Sequence, residues 1–163
     1  MLYSHVLGRR PGSAHERMQG HMDTPRIRHI AICTKDPAGT AAFYEAAFGV
    51  EVIESSETEE YRVVFCTDGS ISIALLDFKS DAAAAKFNVD GGASFVGIHH
   101  MGFMVEDTAQ MLDYLQSMEV KPINEQKPKA SEGAHFEAKI RDPNGIVIDI
   151  ARTWPGLEAA HAM

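Results

Sequence analysis

Two histidines and one aspartate in this chain have the residue types and the settings for a chemical centre. His29 stands in the run Arg28-His29-Ile30-Ala31-Ile32, and His100 in His99-His100-Met101-Gly102-Phe103. Asp149 stands in Ile146-Val147-Ile148-Asp149-Ile150. Two imidazoles and one carboxylate with coordination positions left open suit a divalent first-row metal, and the open positions admit substrate or water. Each residue taken alone has a plainer reading. A single strand histidine is more often a hydrogen-bonded core residue than a ligand. Asp149 could be a solvated edge residue with Ile148 and Ile150 as the core face, because an unpaired buried carboxylate is expensive.

The three residues are tied together by an internal repeat. At an offset of 71 positions, Arg28 to Asp36 sets beside His99 to Asp107: His, apolar, small, apolar, then Asp, then a helical pattern. Asp36 predicts an N-cap with Pro37 in the first turn, where its missing N–H costs nothing. Phe43, Tyr44, Ala47 and Phe48 share one helical face, and Gly49 ends the helix. In the second copy Asp107 caps, Met111, Leu112, Leu115 and Met118 form the stripe, and Pro122 lies beyond the end. Strand-like runs follow each helix: Val50 to Ile53, Tyr61 to Phe65 and Ile71 to Leu76, then Val120 to Ile123, His135 to Ile140 and Ile146 to Ile150. Asp68-Gly69 and Asp142-Pro143-Asn144-Gly145 supply turns. Each half therefore reads βαβββ.

The expected fold is α+β, with two βαβββ modules in tandem. A pseudo-twofold relates them, and their sheets curl around a shared metal and substrate pocket. Residues 25–152 form the single domain: module one at 26–78, a linker at 79–96 whose Ala82 to Ala85 suggests a short helix, and module two at 97–152. Residues 153–163 are a C-terminal tail. Residues 1–24 are set aside as a flexible or vector-derived extension. Within them, residues 1–21 hold Arg9, Arg10 and Arg17 against a single Glu16, without the apolar core of a secretory signal.

The 163 residues are 45% hydrophobic and 23% charged, an ordinary balance for one globular domain. Fifteen Lys and Arg against 23 Asp and Glu give a net charge of -8, which argues against nucleic acid as the main partner. No stretch approaches the ~20 apolar residues of a membrane helix, so no membrane partner is expected. Cys33 and Cys66 make no disulfide framework, which points to a reducing, cytoplasmic setting.

With these motifs in view, the sequence resembles the vicinal oxygen chelate superfamily, which includes glyoxalase I, bleomycin-resistance proteins, methylmalonyl-CoA epimerase and type I extradiol dioxygenases. The resemblance covers residues 26–152. It is carried by Arg28-His29-Ile30-Ala31-Ile32 with Asp36, Ala42-Phe43-Tyr44, Phe48-Gly49, His99-His100-Met101-Gly102-Phe103 with Asp107, and Arg141-Asp142-Pro143-Asn144-Gly145 with Asp149. It implies four metal-facing positions, the first and last strand of each module giving one apiece. Here they fall on His29, a residue in Ile71–Leu76, His100 and Asp149; the best register for the second is Ala74, and a slip puts Ser72, Ile73 or Leu75 there, none of them a carboxylate or amide. Ala74 offers no ligand, and Asp stands where Glu is usual.

The resemblance implies three activities. The leading reading is an Fe(II)-type ring-cleaving dioxygenase, because a His-His-carboxylate set leaves room for a catecholate and O2. Its cofactor would be one divalent ion, with Fe2+ favoured and Mn2+, Ni2+, Zn2+ or Co2+ as alternatives. The second is a metal-dependent lyase or isomerase of the glyoxalase/epimerase type, which commonly uses carboxylates from both modules and is weakened by Ala74. The third is a non-catalytic binding protein. His135 is a candidate second-shell or acid–base residue, and with Glu137 a substitute third ligand. His99 should alternate away from His100 on a strand and is left out. Phe65, Ala74, Leu76, Phe103, Phe136 and Trp154 are the expected walls of a pocket for a partly apolar small molecule. Cys66 is expected to be a buried structural thiol. A homodimer is expected, since a four-stranded module leaves edges to cover.

Overall fold

In the computed structural model, residues 24–123 and 138–158 are described. Module one runs β1 (Arg26–Cys33), α1 (Pro37–Phe48), β2 (Glu51–Glu57), β3 (Tyr61–Thr67) and β4 (Ser72–Phe78). A short helix α2 (Asp81–Lys86) lies in the linker. Module two contributes β5 (Gly97–Met104), α3 (Thr108–Ser117), β6 (Ala138–Arg141) and β7 (Val147–Ala151). Among the described residues seven strands form one sheet that curls across both modules, in the order β2-β3-β4-β1-β5-β7-β6.

The helix boundaries follow the local chemistry. The Asp36 carboxylate accepts from the Gly39 amide, and Gly49 closes α1 at φ 69°, where a Cβ would be strained. Asp107 caps α3 in the same way through the Gln110 amide. Asp142 Oδ1 accepts from the amides of Asn144 and Ile146, which closes the turn before β7.

Two local expectations are altered. Helix α1 does not bury its aromatic face: Pro37 and Ala41 pack inward with Tyr44 beside them, while Phe43 is 59% and Phe48 71% exposed. The helix is apolar all round, so its periodicity names no buried side, and the small Ala41 lets the helix lie close on the sheet. In module two, Val120 to Ile123 forms no strand. Among the described residues its pairing is the Ile123 amide donating to Lys139 O at 2.8 Å, and Pro122 brings no N–H to a ladder.

The core lies in layers on the two faces of the sheet. Behind it, Ala41, Val50, Val64, Cys66 and Leu75 pack under α1, and Val105, Met111, Ala138, Ile140 and Ile150 pack under α3. The other face carries Ala31, Val63 and Ala74 with Phe65 and Leu76.

Candidate metal centre

The two modules meet where β1 pairs antiparallel with β5. Ile30 faces Met101, His29 faces Gly102 and Ala31 faces His100. Shifting either strand by the 71-residue offset reproduces the same pairs, so a pseudo-twofold passes through Ile30 and Met101. The outer strands obey it. Strand β4 runs parallel to β1 with Ala74 beside Ala31, and β7 runs parallel to β5 with Asp149 beside Gly102. Ala74 is therefore the positional equivalent of Asp149.

This register brings His29, His100 and Asp149 together on one face. The imidazoles lie 5.3 Å apart between centroids. His100 Nε2 is 3.2 Å from Asp149 Oδ2. All three are buried, with Asp149 fully inaccessible. The edge reading of Asp149 fails because β6 lies outside β7 and covers it.

Sequence reasoning missed Lys139. It stands opposite Asp149 in the β6–β7 ladder, and its ammonium donates to Asp149 Oδ2. Only the cross-strand register reveals this, because in sequence Lys139 is a lone charge between Ala138 and Ile140.

Trp154 is closer to the centre than a pocket wall. It lies in the segment expected to be a tail, yet it is buried and stacks parallel on His29 at 5.1 Å. Gly102 makes this possible: a Cβ there would stand 2.6 Å from Trp154 Cζ2 and 2.8 Å from His29 Cβ.

His99 does not alternate away from His100. The β1–β5 register shifts between Ala31 and Ile32, so His99 is the extra residue of a β-bulge, which re-aims its side chain. Its Nδ1 lies 2.8 Å from His100 Nδ1, and its Nε2 lies 3.1 Å from Asn88 O.

Burial, aided by the neighbouring His100, lowers the His29 pKa from 6.5 to about 3, so the ring is a neutral imidazole. Burial by itself would raise Asp149. The neighbouring His100 and Lys139 outweigh that and hold its carboxyl well below the usual carboxylate range. Both residues are therefore in the deprotonated form that metal ligation requires.

The donor set fits a divalent cation in kind. His29 Nδ1 and Asp149 Oδ1 are buried with no hydrogen-bond partner among the described residues. Two ligands each about 2.1 Å from an ion stand about 3.0–3.4 Å apart, and the 3.2 Å between His100 Nε2 and Asp149 Oδ2 matches. In arrangement the set is incomplete: among the described residues no three His, Cys, Asp or Glu side chains converge on one point. Lys139 also competes with an ion for Asp149.

Phe65, Ala74 and Leu76 lie on the histidine face, with Phe65 paired to Ala74. Phe103 does not. It pairs with Ile150, which packs under α3, so strand alternation puts Phe103 behind the sheet. Cys66 also lies behind the sheet, fully buried, with burial raising its thiol pKa. His135, Phe136 and Glu137 fall outside the described residues. Among the described residues no helix is long and apolar enough to cross a membrane.

Comparison with known proteins agrees with this architecture. An ethylmalonyl-CoA/methylmalonyl-CoA epimerase of Cereibacter sphaeroides is 28% identical over 132 residues, covering 77% of this chain and 96% of the relative. The mitochondrial methylmalonyl-CoA epimerase of Homo sapiens is 26% identical, covering 77% of this chain and 72% of its own. The crystal structure of methylmalonyl-CoA epimerase from Mycobacterium tuberculosis superposes with a TM-score of 0.63 at 19% identity, covering 79% of this chain and 88% of that one, which shows the shared fold. The family model for the Glyoxalase/Bleomycin resistance protein/Dioxygenase superfamily matches residues 26–150, and the chain belongs to that superfamily.

Proposed function

We propose that this protein is a metal-dependent isomerase of the epimerase type, acting at the carbon α to the carbonyl of a branched malonyl-type CoA thioester. The observation that carries this reading is that both curated relatives are epimerases of such thioesters, one of them matched over 96% of its length. His29, His100 and Asp149 would hold the ion. When bound, it would supply Lewis-acid polarisation of the substrate's oxygens.

The chain's own residues do the rest. Neutral His29 and ionised Asp149 stay in ligand form and are too weakly basic to take an α-proton at neutral pH. The proton transfer is assigned instead to His135, which lies outside the described residues, as the proposed acid–base residue. Lys139 donates to Asp149, and an ammonium at this point favours the negative charge that develops on an enolate. Trp154 seals the back of the site from water. Phe65 and Leu76 offer apolar walls, and Ala74 leaves the space of the missing fourth ligand open.

That opening is the one observation favouring the ring-cleaving dioxygenase reading, since a three-ligand site leaves room for O2. The relatives support the isomerase better. Methylmalonyl-CoA incubated in deuterated water with Co2+-loaded protein should gain one deuterium at the α-carbon by mass spectrometry. No exchange with Co2+, Mn2+ or Fe2+, together with catechol-dependent O2 uptake by the Fe2+ form, would overturn the proposal in favour of the dioxygenase.

We further propose a cytoplasmic homodimer, in keeping with two free buried thiols and the exposed Phe43 and Phe48. Sedimentation at micromolar concentration showing only the 17.9 kDa monomer would refute the dimer.

A further inference from the structure

The two modules are unequal at their bulges. Each of β1 and β5 carries one extra residue, Arg28 in the first and His99 in the second, and the two correspond under the 71-residue offset. Arg28 donates away from the centre, to Ser70 O at 2.9 Å. His99 folds back on His100, their rings near perpendicular at 76° and 4.8 Å between centroids.

The hydrogen bonds around His99 leave one proton arrangement. Its Nε2 is 3.1 Å from the Asn88 carbonyl. A carbonyl only accepts, so this nitrogen carries the proton. A neutral imidazole carries one proton, so with Nε2 donating to the carbonyl its Nδ1 keeps a lone pair. That lone pair lies 2.8 Å from His100 Nδ1, a contact that is attractive only if His100 Nδ1 bears the hydrogen. With Nδ1 so used, His100 presents Nε2 toward Asp149 Oδ2. The outer anchor is itself fixed: Asn88 follows α2 at φ 62°, a left-handed conformation that Asn tolerates.

We propose that His99 is a positioning residue that locks His100 in its Nδ1-protonated form, with Nε2 directed into the metal centre. The chain Asn88 carbonyl–His99–His100 orients a ligand through the hydrogen bond its other nitrogen makes. His29 has no matching histidine beside it: its bulge residue is Arg28, which donates to Ser70 O instead. The functional meaning rests on the metal-centre reading, whereas the proton arrangement stands on the metal-free protein.

The test has two arms. Long-range 15N–1H correlation on imidazole-labelled, metal-free wild type should show protons on His99 Nε2 and His100 Nδ1. Optical titration with Co2+ should show His99→Ala binding about 10–100-fold more weakly than wild type, the range typical for groups that orient ligands. His99→Asn, whose amide oxygen can accept from His100 Nδ1, should recover most of that loss. A His100 Nδ1 without a proton in wild type, or a His99→Ala protein with wild-type Co2+ affinity, would overturn the proposal. A wild type that takes up no Co2+ sinks the metal reading instead, and the spectroscopic arm then decides the positioning role by itself.

Discussion

Gly102→Ala is the substitution that most directly probes how the centre is closed. Gly102 sits between His29 and Asp149 in the sheet, and its φ is not among the positive values. The backbone would accept alanine, so space is the only obstacle. The new Cβ would lie 2.6 and 2.9 Å from two Trp154 ring carbons and 2.8 Å from His29 Cβ. Ordinary contact begins near 3.4 Å, so the indole must retreat by about 0.8 Å from a site with almost no free surface. His29 cannot yield easily, because β1 is the central strand between β4 and β5.

Overpacking of this kind costs about 1–3 kcal/mol, and the rigid strand favours the upper end. Restricting the unfolded chain returns up to about 1 kcal/mol, leaving a net loss of about 2 kcal/mol. For a chain of this size that lowers Tm by about 6 °C. Urea and thermal unfolding of metal-free protein would measure it. Trp154→Leu removes the two offending ring carbons, so in that background the added cost of Gly102→Ala should fall by at least about 1 kcal/mol. A Gly102→Ala protein within about 0.5 kcal/mol of wild type, or strictly additive losses in the double variant, would refute the account.

His29→Ala and His100→Ala should each remove most bound metal while keeping the fold, as read by metal analysis and circular dichroism; stoichiometric metal in the double variant would refute the site. Ala74→Glu should tighten Co2+ binding and raise α-proton exchange, because it places a carboxylate at the position equivalent to Asp149, whereas Asp149→Ala should abolish both. Lys139→Met leaves Asp149 buried beside one fewer positive charge, so metal-free stability should drop by about 3 kcal/mol and the stabilisation by added Co2+ should grow. For pH, His29 is lowered from 6.5 to about 3 on folding, so the unfolded chain binds its proton first on acidification. Its contribution is complete above pH 6.5 and is lost between 6.5 and about 3, at up to about 1.4 kcal/mol per unit. His29→Gln should flatten that slope in chelator-treated protein; an unchanged slope would refute the assignment.

The capping aspartates, the Gly49 stop and the repeat itself were legible in the sequence, because each depends on residues within one turn or on matching positions in two similar segments. The repeat also put both histidines at equivalent points before any strand pairing was known, while the equivalence of Ala74 and Asp149 follows from the strand register. The superfamily was readable from the same motifs. The epimerase relatives redirected the activity, since three ligand types on a shared fold do not choose between isomerase and oxygenase.

Other features waited for the tertiary structure. His99 turns toward His100 only because β1 and β5 pair with a one-residue bulge, and a shift of one residue exchanges the faces of a strand. Lys139 reaches Asp149 only through the β6–β7 register. Phe103 moves behind the sheet because Ile150, its neighbour in β7, packs under α3. The buried side of α1 could not be read from a helix apolar on every side. Trp154, fifty-odd residues from Gly102 in sequence, fills the space that a missing Cβ leaves. Local chemistry sets where strands and helices begin and end, while the partners of buried side chains depend on register and close packing, which exist only once distant segments have met.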